Sequence, residues 1–64
     1  MTFDEIKQYV LNERKIALER RLKRGMPSYR AESEAYLICL GMAKALYKTG
    51  AITDEEFGDL ITEI

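Results

Sequence analysis

Residues 35–47 read AYLICLGMAKALY, and Lys44 is the only charged side chain among these thirteen. A segment of that composition has to be covered on most of its sides, so the rest of the chain must be arranged around it. A β-strand is excluded, because the run is too long and favours Ala, Leu and Met over β-branched residues. A bilayer span is excluded as well, since crossing takes roughly 20 apolar residues. The segment is therefore a helix, and a helix apolar nearly all round belongs in a core or an oligomer interface.

At about 100° per residue, Tyr36, Leu40, Ala43 and Tyr47 form one stripe flanked by Cys39 and Leu46. Ile38, Met42 and Ala45 form a second stripe beside it. The arc left for water, holding Ser33, Leu37, Gly41, Lys44 and Lys48, is narrow.

With 64 residues there is room for one domain, and a core of that size rarely supplies more than about 3–5 kcal/mol. Small chains often gain stability from disulfides, metals or self-association. Cys39 is the single cysteine and there is no histidine, which rules out an internal disulfide and a Cys/His metal site. No cofactor or metal is expected, and self-association becomes an attractive source of burial. An unpaired cysteine in an apolar helix suits a reducing cytoplasm. The N-terminal Thr2-Phe3-Asp4-Glu5 lacks the basic-then-apolar pattern of a signal peptide, and a cytoplasmic location is expected.

Thr2 and Glu5 have the spacing of a capping box, which predicts a first helix over about residues 3–24. Phe3, Ile6, Val10 and Ala17 make one apolar stripe, and Leu11, Leu18 and Leu22 make another. Lys7, Arg14 and Arg21 lie between them at heptad spacing, as expected if their methylene stems fill the space between two neighbouring elements. Glu19 and Lys23 are spaced for an i,i+4 ion pair. Gly25 and Pro27 end the helix, and Ser28 is the expected N-cap of a second helix over about residues 29–49, closed by Gly50. Thr53 and Glu56 repeat the capping box, with Ile52 placed to pack on Phe57 as a hydrophobic staple, and a third helix over about residues 54–63 follows. The short connections favour antiparallel neighbours. The expected fold is all-α: an antiparallel helical hairpin with a short third helix folded across its end, assembled into an oligomer.

The stretch LYKTGAITDEEFGDLI, residues 46–61, resembles the SHOCT (short C-terminal domain) type of bacterial helical hairpin. Gly50, Ile52, Thr53, Glu55, Glu56 and Phe57 carry the likeness, while Gly58 and Asp59 stand where that family has basic residues. The resemblance implies a small association module of bacteria or their mobile elements, without enzymatic activity.

Catalysis has little to work with, since general acid–base or nucleophilic chemistry needs a positioned base and a sheltered pocket. A non-enzymatic protein–protein interaction or oligomerisation module is expected, self-associating through Tyr36, Leu37, Leu40, Gly41 and Tyr47, with a further, unidentified protein as partner. Charge supplies the alternative. Residues 1–32 carry eight Lys/Arg against five Asp/Glu, and residues 33–64 carry two against six. Arg14, Arg20, Arg21, Lys23 and Arg24 could contact phosphates or an acidic partner, as in a nucleic-acid-associated accessory factor of phage or mobile-element origin. The acids Asp54, Glu55, Glu56, Asp59 and Glu63 could instead mimic a nucleic-acid backbone in an inhibitor of a nucleic-acid enzyme. Both clusters also complement the dipoles of their own helices.

Overall fold

In a computed structural model describing residues 1–64, the chain forms three α-helices and no strand: α1 (Phe3–Lys23), α2 (Ser28–Lys48) and α3 (Asp54–Glu63). Both capping boxes form. The Thr2 hydroxyl accepts from the Glu5 N–H at 3.2 Å while the Glu5 carboxylate accepts from the Thr2 N–H at 3.0 Å. The pair Thr53 and Glu56 repeats this at 3.1 and 2.9 Å. Each satisfies two donors that a helix start leaves free, and an N-cap is typically worth about 1 kcal/mol.

The two long helices end alike. Gly25 and Gly50 take positive φ, +88° and +78°, which lets the chain turn back on itself. The N–H of Met26 then reaches the Arg21 carbonyl, and that of Ala51 reaches the Leu46 carbonyl. These are Schellman closures, and they stop α1 and α2 within a residue of the expected ends.

The start of α2 departs from expectation. Ser28 is the first helical residue and the N-cap is Pro27, with no side-chain cap. Proline's ring holds φ at −58°, and its carbonyl accepts the first helical bond from the Ala31 N–H at 2.9 Å. The turn itself thus sets the helix start.

Packing reorders the expected stripes. The fully buried residues of α2 are Ala31, Ala35, Cys39 and Ala43, every fourth position, rather than Tyr36, Leu40 and Tyr47. Small side chains at that spacing let a second helix come close, ridge into groove. Val10 is the only fully buried residue of α1, and its carbonyl accepts from the Cys39 thiol at 3.5 Å. Further along, the Arg21 guanidinium meets Glu34 at 3.1 Å, so residues late in α1 lie beside residues early in α2.

The core proper is Val10, Cys39, Ala43, Ile52 and Leu60. Phe3, Ile6, Met42, Leu46, Phe57, Ile61 and Ile64 pack around it, so the staple residues Ile52 and Phe57 join one cluster. The Phe57 ring stacks on Tyr47 with centroids 4.8 Å apart, and Glu63 reaches Lys7 at 3.6 Å. Hence α3 covers only the end where α1 begins and α2 finishes. Toward the turn between α1 and α2, only Ala31 and Ala35 are fully buried. The molecule is elongated, 37 × 17 × 16 Å.

Candidate association surface

Lys7, Arg14 and Arg21 are half-buried along α1, and each uses its burial differently. Lys7 pairs with Glu63 and sits 5.7 Å from the centroid of the Phe3 ring. Arg21 donates to Glu34 and to the Ala17 carbonyl. The Arg14 Nε is buried with no partner. Glu34 also accepts from Arg30 at 3.2 Å, and the bonds from Arg21 and then Arg30 hold its carboxyl below the usual value. The expected basic cluster is therefore divided. Arg14 and Arg21 are committed to the space between helices, whereas Arg20, Lys23 and Arg24 are exposed at the end of α1 with no carboxylate in reach. The Glu19–Lys23 pair does not form.

The acids of α3 divide too. Glu56 is used in the capping box and Glu63 on Lys7. Asp54, Glu55 and Asp59 are exposed, the first two in the first turn of α3, where the helix dipole suits them.

The five residues expected to self-associate do not form one patch. Tyr47 is spent partly on Phe57, and Leu40 is half-buried. Leu37 is 60 % exposed and, two residues from Cys39, points about 160° away from the buried stripe. Gly41 shares that outer side, where a Cβ would meet nothing within 4 Å. Tyr36, at 39 % exposure, stands on a flank of α2 between the two.

An open apolar groove lies elsewhere. Met1, Ile6 and Tyr9 of the N-terminal region face Met42, Ala45, Leu46 and Thr49 across an open groove of about 460 Å³. No residue of α3 lines it, so it occupies the side of the α1–α2 pair that α3 leaves open. Ile38, 42 % exposed, continues its α2 wall one turn from Met42. The Ile38–Met42–Ala45 stripe is visible in the sequence, but its role as a groove wall depends on which side α3 takes. Tyr9 and Met1 carried no such signal beyond the spacing of Tyr9 from Ile16, seven residues on.

No group of three or more metal-binding side chains comes together, and no helix is long and apolar enough to cross a membrane. The fold and surface define a small all-helical protein with a divided charge distribution and an uncovered apolar groove. No protein-family model matches the chain, nor does any curated protein or solved structure.

Proposed function

We propose that this chain is a non-enzymatic association module: an antiparallel helical hairpin braced at one end by α3, which works by binding copies of itself and a further protein. One observation carries the reading. Only seven of 64 residues are buried, while Met1, Ile6, Tyr9, Met42, Ala45 and Leu46 line an apolar groove that no other part of the chain covers. A contiguous apolar groove left open to solvent marks an interaction site more often than scattered exposed side chains do. The resemblance of residues 46–61 to SHOCT-type hairpins fits the same role, and the buried free thiol of Cys39 suits the cytoplasm.

The test is the mass in solution, by light scattering after size exclusion, over a hundredfold dilution. A species heavier than the 7.4 kDa chain, dissociating on dilution, is the expected result. A monomer at every concentration would sink self-association.

A second reading follows from Arg20, Lys23 and Arg24, three exposed cations that nothing in the chain neutralises. On this reading the protein is an accessory factor contacting nucleic-acid phosphates. Anisotropy with labelled duplex DNA and single-stranded RNA at low salt tests it, with binding that weakens steeply as salt rises. No binding to either removes this reading.

A further inference from the structure

Resting on the nucleic-acid reading, we infer that the turn of the hairpin binds single-stranded nucleic acid, with a base stacked on Tyr29 and phosphates held by Arg20, Lys23 and Arg24. The first ground is the gathering of cations. Residues 20–30, RRLKRGMPSYR, hold five of the chain's ten Lys/Arg and no Asp or Glu. The reversal between α1 and α2 brings them to one end of an elongated molecule. Lys23 is the last residue of α1 and Arg24 its C-cap, and Arg20 lies about one helical turn below them. Arg21 and Arg30 are taken up by Glu34. Arg20, Lys23 and Arg24 hold no carboxylate, and the nearest other acids, Glu19 and Glu32, lie outside the stretch.

The second ground is an unused ring. Dipole matching accounts for cations at the end of α1 but not for the tyrosine across the turn from them. Tyr29 is 77 % exposed, more than any other large apolar side chain except Met1. The one aromatic pair in the chain is Tyr47 with Phe57, so nothing stacks on Tyr29. Two residues before the buried Ala31, it points away from α1. Side chains of a helix lean toward its start, and the start of α2 is at the turn, so the ring leans out over the end of the hairpin. Lys23, two residues on from the half-buried Arg21, points away from α2 in the same manner. A strand laid across the end of the hairpin therefore meets the cations of α1 and then the ring of α2.

The pairing of ring and cations selects the form of nucleic acid. In a duplex the bases are stacked on one another, and an exposed ring finds no face to cover. In a single strand every base offers a face, while cations beside the ring follow the backbone.

The chain has no tryptophan, so Tyr29→Trp places a sole reporter at the site. Single strands of about 12 nucleotides, oligo(U) and oligo(dT), fit the usual range of site sizes and should quench its emission. A duplex of the same length should not. In anisotropy with the same strands, Tyr29→Ala should weaken binding at least about fivefold, while Tyr29→Phe should retain it. Three free cations set a slope of log affinity against log salt of about −2, and Arg20→Gln with Arg24→Gln should flatten it to about −0.7. Emission unchanged by single strands that nevertheless bind would overturn the stacking on Tyr29. Equal affinity for duplex and single strand, with Tyr29→Ala like the parent, would overturn the inference and leave the nucleic-acid reading standing. No binding to any nucleic acid would remove both. A blue shift of the reporter with anionic lipid vesicles, and no response to either oligonucleotide, would assign the turn to a lipid surface instead.

Discussion

Replacing Gly41 by alanine tests two claims at once: that α2 is a regular helix at its middle, and that its outer side faces water. Glycine in a helix interior costs about 1 kcal/mol relative to alanine, because more backbone freedom is lost on folding. Gly41 lies within α2, and only Gly25 and Gly50 adopt positive φ, so alanine adopts its backbone without strain. A Cβ there meets no atom within 4 Å. No opposing steric cost arises, and Gly41→Ala should stabilise the monomer by about 1 kcal/mol. Against the total of about 3–5 kcal/mol that a core of this size supplies, that is a large fraction. It corresponds to a rise of about 4–8 °C in Tm for a domain of 60–100 residues. Urea melts followed by circular dichroism, run dilute enough that only monomer is present, should show a higher midpoint at unchanged slope. An unchanged or lowered midpoint would refute the description of α2 at this position. A gain in the dilute sample that reverses in the concentrated one would mean that the outer side of α2 is in contact with another chain after all.

Other substitutions probe the core and the charges. Leu60 is the largest fully buried side chain, and Leu60→Ala should cost about 2–5 kcal/mol, comparable with the whole stability. A cooperative melt close to that of the parent would show that Leu60 is not in the core. Glu34 has its pKa lowered in the fold by Arg21 and Arg30, so its contribution is present above the ordinary value of 4.5 and is lost as pH falls through the lower folded value. Glu34→Gln should flatten that part of the stability–pH curve, and an identical acid limb in parent and variant would contradict it. Burial pushes the Cys39 thiol pKa up, so thiol reagents should modify it only as the chain unfolds, and rapid labelling under native conditions would disprove its burial.

Local chemistry made most of the backbone legible. The boxes at Thr2–Glu5 and Thr53–Glu56, and the glycines at 25 and 50, act within a few residues of their own position. A pattern in the chain is then enough to place them. The same holds for Ile52 and Phe57, whose packing follows from the cap between them. Ser28 is the exception, because the neighbouring Pro27 competed for the same role and its preset φ prevailed.

Which residues become surface depends on distant parts of the chain. The central segment, residues 35–47, has apolar side chains on nearly every side, and its periodicity cannot say which of them meets α1. Close approach selected the small residues Ala31, Ala35, Cys39 and Ala43, because a ridge of small side chains brings two helices nearest to one another. That choice turned Leu37 outward and left Tyr36 on a flank. The short α3 crosses one end and one side of the α1–α2 pair, which leaves Ile6, Tyr9, Met42, Ala45 and Leu46 around an open groove. Helix starts and stops were thus set by the sequence alone, through interactions a few residues long. The uncovered surface was decided only in three dimensions, since burial is shared out among helices that lie far apart along the chain.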